Sequence, residues 1–318
     1  MYIRRIFCWS CIVLLPLTGW AQSQRSFKKL VQQTNTYLAA YARLSPFGWE
    51  ELTALQDTNL PKKLQKAIQA DPESYESLSA DSISNFDLIL EYQDLILQKL
   101  DQLTSHSKFT RNDLFELIED DTDLWMFRSP DRKLYNFSLD EKTGGTYRSR
   151  LSIMHYTDWE VERLAVHPQE LPNDAFDPYW IFEGDGFDRI DTLRTPTGVQ
   201  YVLSGSVRGC TACFETNVLL VRFDQEGVHA EFSYSVTLRS YEDGVFYDPE
   251  TRTIAVDYET DDLTTDCLCS NELDIEPSSS SYFNDADDEF EPIHCHCVFQ
   301  FIDGQFKLID SSPISEDD

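Results

Sequence analysis

The segment IHCHCVFQFIDGQFKLI, residues 293 to 309, decides how the chain reads. Two alternating runs, 293 to 302 and 305 to 309, meet at Asp303-Gly304. Asp-Gly between alternating apolar residues is the strongest short signal for a two-residue hairpin, because both turn positions need positive φ. Alternation sends Cys295, Cys297, Phe299 and Phe301 to one face and His294, His296, Val298 and Gln300 to the other. Upstream, Cys267-Leu268-Cys269 mirrors Cys295-His296-Cys297 about one centre, which is the register relation of an antiparallel strand pair. The spacing predicts Cys267 opposite Cys297 and Cys269 opposite Cys295, at a separation that disulfides tolerate. Closing the 267 to 297 loop would contribute about 3.5 kcal/mol in the chain-entropy model, and the second bond would mainly fix register.

The cysteines agree with an exported protein. Residues 1 to 21 carry Arg4 and Arg5, an apolar run from 6 to 17 and a small-residue exit at Gly19-Trp20-Ala21, the pattern of a cleaved signal peptide. Cys8 and Cys11 fall inside that run, and the other six of the eight cysteines form the pairs 210/213, 267/269 and 295/297. An even, paired set in an oxidising compartment favours disulfides over metal, and the expected location is secreted or periplasmic. No later run approaches about 18 uninterrupted apolar residues, so no transmembrane segment is expected after signal cleavage.

The formal net charge is −30, from 26 basic and 56 acidic residues. Residues 257 to 318 hold 18 of those acids and a single base, Lys307. Nucleic acid is excluded as a partner, since phosphate binding needs a cationic surface.

From 22 to 107 the apolar period is helical. Phe27, Leu30, Val31, Leu38, Tyr41 and Leu44 mark a first helix closed by Pro46. Pro61 opens a second through Leu64, Ala67 and Ile68. A third is expected from a Ser82 cap through Phe86, Ile89, Leu90, Ile96, Leu97, Leu100 and Leu103, and a short helix capped by Thr110 follows.

From 108 to 318 the pattern is that of an antiparallel β domain. Strands at 124 to 128 and 133 to 139 flank Ser129-Pro130-Asp131-Arg132, and Thr143-Gly144-Gly145-Thr146 turns into a strand from 147 to 156. Further strands are expected at 190–193, 199–203, 218–223, 230–238, 245–247 and 253–258, before the hairpin at 293. The fold class is α+β: an N-terminal helical segment, then a sandwich, barrel or partial propeller with an acidic loop at 276 to 292. No repeat of regular period singles out the propeller.

The hairpin around Lys133-Leu134-Tyr135, ending in the T-G-G-T turn at 143 to 146, resembles a group of exported Gram-negative bacterial proteins of unassigned function. The resemblance implies an exported β-rich domain and carries over no functional residue.

Four groups could bear function. Cys210-Thr211-Ala212-Cys213 has the redox C-x-x-C spacing, but the apolar run that follows reads as a strand, and a disulfide at a hairpin tip fits better than a thiol at a helix N-terminus. Asp185, Asp188 and Asp191 lie in a glycine-containing acidic turn that departs from known calcium loops and could still hold calcium by another geometry. His294 and His296 share a strand face and suit zinc or copper, with Asp266 as a diagonal neighbour. Trp159, Tyr179, Trp180 and Phe182 could form a stacking platform, or cap the core. No nucleophile elbow, H-E-x-x-H or P-loop occurs. The preferred reading is a non-catalytic binding or envelope-associated protein without a cofactor, meeting a protein or glycan partner. A calcium- or zinc-binding protein and a thiol-disulfide redox protein are the alternatives.

Overall fold

The computed structural model describes residues 15–52, 55, 60–71, 74–75, 82–119, 122–157, 180–182, 186–196, 198–209, 213–224, 227–238, 243–260 and 293–314. The side chains of 15–25, 63, 180–182, 227, 260, 293 and 312–314 are not among the described groups. The chain divides into two compact units, 1–123 and 124–318. The first unit reaches Asp123.

In the first unit, helices α1 (Leu15–Arg43) and α3 (Asn85–Thr104) pack together, with α2 (Lys62–Ala70) between them in sequence. Phe27, Val31, Leu38 and Tyr41 of α1 are buried, as are Ile68 of α2 and Leu88, Ile89, Tyr92, Ile96, Leu100 and Leu103 of α3. Pro61 stands at the α2 N-cap. Two expectations are corrected at α3. Residues Ser82–Ser84 form strand β2, paired with β1 (Trp49–Glu51), and Ser84 is the cap, its hydroxyl accepting from the Phe86 amide. Phe86 and Leu90 face outward, because Leu88, Ile89 and Tyr92 occupy the buried stripe. The helix expected from Thr110 is instead two 3-10 turns, Phe109–Arg111 and Leu114–Glu116, the second capped by Asp113. An Asn35 side-chain bond to the Leu117 carbonyl at 3.0 Å ties this segment to α1.

The second unit holds three four-stranded antiparallel meanders, each in chain order. The first comprises β3 (Leu124–Arg128), β4 (Leu134–Asp140), β5 (Arg150–Tyr156) and β6 (Trp180–Phe182). The second comprises β7 (Arg189–Thr195), β8 (Gly198–Arg208), β9 (Phe214–Asp224) and β10 (Gly227–Leu238). The third comprises β11 (Gly244–Asp248), β12 (Thr253–Thr260), β13 (Ile293–Ile302) and β14 (Gln305–Ile314). No barrel closes among the described strands. β5 begins at Arg150, three residues later than expected, because the chain from 143 to 147 stays in the turn.

The meanders stack as layers. Leu193, Val202, Val218, Leu220 and Phe232 of the second pack on Val256, Cys297, Phe299 and Phe306 of the third. Its opposite face, with Ile190, Tyr201, Leu203, Leu219 and Val221, packs on Leu134 and Met154 of the first. A sheet buried on both faces needs continuous apolar runs, which Tyr201-Val202-Leu203 and Val218-Leu219-Leu220-Val221 supply.

Two joints lock the first layer to the second. Gly205 of β8 lets residues 186 and 187 cross closely, since a Cβ there would lie 1.9 Å from the Gly186 carbonyl oxygen. The buried hydroxyl of Ser138 donates to the Phe187 carbonyl at 3.0 Å beside the Asn136 amide. At the β3–β4 turn, Asp131 accepts from the Lys133 amide and from the buried Tyr201 hydroxyl at 2.9 Å.

Candidate functional site

The outer face of the third meander is built from β12 and β13. Register places Asp257 opposite His296 and Glu259 opposite His294. Period-two alternation therefore gathers two carboxylates and two imidazoles on one face, while Val256, Cys295 and Cys297 point inward and are buried. Asp243, immediately before β11, joins them: its Oδ1 lies 3.9 Å from His294 Nε2. The ligand atoms of Asp243, Glu259 and His294 all lie within 4.8 Å of one another. Beside them, His296 Nδ1 meets Asp257 Oδ1 at 2.5 Å.

The electrostatics of this face favour a cation. Asp243 and Glu259 bring two carboxylates to His294, and Asp257 sets a third against His296. Converging carboxylates repel, and a divalent ion removes that repulsion while using the imidazole lone pair. One nitrogen and two carboxylate oxygens, with open positions to solvent, make a three-ligand set of the kind that holds zinc with water.

The expected partner of the histidines, Asp266, lies outside the described residues, and Asp257, Glu259 and Asp243 take the adjacent places. Asp243 escaped the sequence because it precedes a strand far from His294 in the chain. The Asp257-x-Glu259 alternation facing His294-x-His296 was the available signal.

The cysteine register is corrected. Cys297 stands opposite Val256 of β12 and Ser311 of β14, and Cys295 opposite Tyr258 and Pro313. Both edges of β13 are therefore filled, and no edge remains for 267 to 269 as a neighbouring strand. Cys213, Cys295 and Cys297 are disulfide-bonded. Cys210, Cys267 and Cys269 lie outside the described residues, so the pairing stays a proposal. Any bond from Cys295 or Cys297 leaves through the sheet face, where the sulfurs point, and not along a ladder. Cys213 sits where the β8–β9 hairpin tip enters a strand, with Gly209 donating to its carbonyl at 3.1 Å.

Of the calcium candidates, Asp191 is held by Arg189 at 2.7 Å. Asp188 has its pKa raised, because the surrounding protein desolvates its carboxyl, with Arg150 pulling the other way. Asp185 lies outside the described residues. Arginines thus stand near both described members of this set, Arg189 at Asp191 and Arg150 toward Asp188. Of the aromatic candidates, Trp159 and Tyr179 lie outside the described residues, and Trp180 and Phe182 are placed by backbone only, on β6. Exposed apolar side chains appear elsewhere. Phe47, Trp49, Phe86 and Leu90 are exposed in the helical unit, around the point where Asn85 donates to the Gly48 carbonyl.

Comparison with known protein families, curated proteins and solved structures returns no match.

Proposed function

We propose that this chain is an exported protein that binds a divalent cation on the outer face of its third meander. The convergence of His294 Nε2 with the carboxylates of Asp243 and Glu259 within 4.8 Å carries the reading. Export is supported by the signal-like first 21 residues and by bonded cysteines, which belong to oxidising compartments. Titration calorimetry of the oxidised protein with zinc, manganese and calcium ions tests it. About one ion per chain is expected, and His294→Ala should abolish the tightest binding. Silence toward all three ions would sink the proposal.

A second reading, a partner-binding protein of the envelope, is favoured by the exposed Phe47, Trp49, Phe86 and Leu90. Glu50 and Glu91 adjoin them, so the partner would present apolar groups rimmed by cations. A lysine/leucine amphipathic peptide should lose affinity when Phe86 and Leu90 become serine. Equal affinity for the variant would remove this reading.

A further inference from the structure

We infer that the cation is an imidazole-preferring transition ion of the zinc, copper(II) or nickel class, and that His296 is its second nitrogen ligand. This rests on the proposed cation-binding function and specifies its chemistry.

His294 and His296 are alternate residues of β13 on one face. Their Cα atoms are separated by two strand steps, roughly 6.6 Å, a span across which two imidazoles can grip one ion. His296 also has a carboxylate partner that sets its tautomer. Its Nδ1 lies 2.5 Å from Asp257 Oδ1, and against an ionised carboxylate that nitrogen carries the proton. Nε2 is then the free lone pair. A carboxylate holding the far nitrogen is the arrangement that fixes the tautomer and raises the basicity of metal-bound histidines.

In the present structure His296 lies outside the three-residue cluster, so it joins by a side-chain rotation. Its side chain is 30% exposed and can turn without disturbing the core. The completed set is two nitrogens from His294 and His296 and two oxygens from Asp243 and Glu259. Calcium prefers six to eight oxygens, whereas mixed nitrogen and oxygen sets suit zinc, copper and nickel.

The backbone beneath the site is firm. Cys295 and Cys297 alternate with the two histidines, are fully buried and are disulfide-bonded. Phe299 continues that inner row at 0% exposure. A ligand strand anchored from behind presents its outer side chains with little backbone freedom to lose on binding. The cysteine sulfurs, being on the other face and bonded, do not enter the ligand set. Asp257 acts as a positioning residue through His296.

The experiment is equilibrium titration of the oxidised, tag-free protein with zinc and calcium ions, alongside His294→Ala, His296→Ala and Asp257→Asn. Unfolding midpoints without metal confirm that each variant folds. Zinc should bind at least about 100-fold tighter than calcium. His296→Ala should weaken zinc about 10- to 100-fold and leave calcium unchanged, and Asp257→Asn should weaken zinc about 10-fold. Cobalt(II) substitution adds a spectroscopic signature: the visible absorption of a low-coordinate site should appear in the parent, collapse in His296→Ala and shift in Asp257→Asn. Zinc affinity unaltered by His296→Ala overturns the inference. Calcium bound as tightly as zinc overturns it too while leaving the cation-binding function standing. Binding of neither ion overturns the inference, and silence toward manganese as well overturns the cation-binding function.

Discussion

The two faces of β13 differ as much as two domains do, although they alternate residue by residue. Inward, Cys295, Cys297 and Phe299 are wholly buried, the last two against the second meander. Outward, the His294 and His296 side chains keep 33% and 30% of their exposure and meet carboxylates. Read as a string, H-C-H-C looks like four ligands in a row. In the strand it is two pairs separated by the thickness of a sheet, one spent on covalent and apolar anchoring and the other left for chemistry. The lesson is that a strand can be given a site on one face without compromising the core on the other, provided the period of two is kept.

The comparison can be broken most easily at Phe299. Its replacement by alanine should cost about 3 to 5 kcal/mol in denaturant unfolding, whereas His294→Ala or His296→Ala without metal should stay within about 0.5 kcal/mol. Comparable losses on both faces would mean that the outer residues are structural. Next in size is the covalent anchor: reduction of the disulfides should lower stability by about 2 to 4 kcal/mol per bond that closes a long loop. Intact mass before and after alkylation without reductant checks the premise, since free thiols at 295 and 297 would remove the anchor. On the outer face, zinc at 100 times its dissociation constant should raise stability by about 2.7 kcal/mol. That increment should vanish in His294→Ala and survive in a conservative inner-face variant such as Phe299→Leu. A still smaller effect is expected at the exposed β11–β12 turn. There Asp248 accepts from the Thr251 hydroxyl and the Glu250 amide, which holds its pKa below the usual value. A depressed carboxylate adds stability that is present above the unfolded-state pKa near 3.8 and is lost as pH falls through the folded value. Asp248→Asn should flatten the acid limb of the stability profile below about pH 4, and an unchanged limb would place the titration elsewhere.

Local chemistry made much of this fold legible. Asp303 and Gly304 adopt positive φ, 55° and 89°, and make the hairpin that the Asp-Gly pair announced. The β9–β10 and β11–β12 pairings, the α2 start at Pro61 and the facing of Cys297 and Phe299 follow from the same rules. What failed was adjacency. The mirror relation of the two C-x-C strings gives a register only if their segments are neighbours. Thr253–Thr260 and Gln305–Ile314 already fill both sides of β13. The layered repeat was hidden for a related reason. Long segments between β5 and β6 and between β12 and β13 make the three meanders unequal in length, so no period survives in the sequence. At the site, Asp257 and Glu259 were readable as alternating acids, but Asp243 arrives from outside any strand and only the folded chain brings it to His294.

The second meander is covered on both faces, and this sets where the protein can tolerate change. Along β8 and β9 nearly every side chain from Tyr201 to Leu203 and from Val218 to Val221 has a packing partner above or below the sheet. Neither side offers a position where a new polar group could be tried without a desolvation cost. A random library over this unit should therefore purge substitutions from the middle layer first, and retain them on the solvent-facing side of the third meander. Novelty in such a stack accumulates on the outer leaf, while the inner one is held almost fixed by its two neighbours.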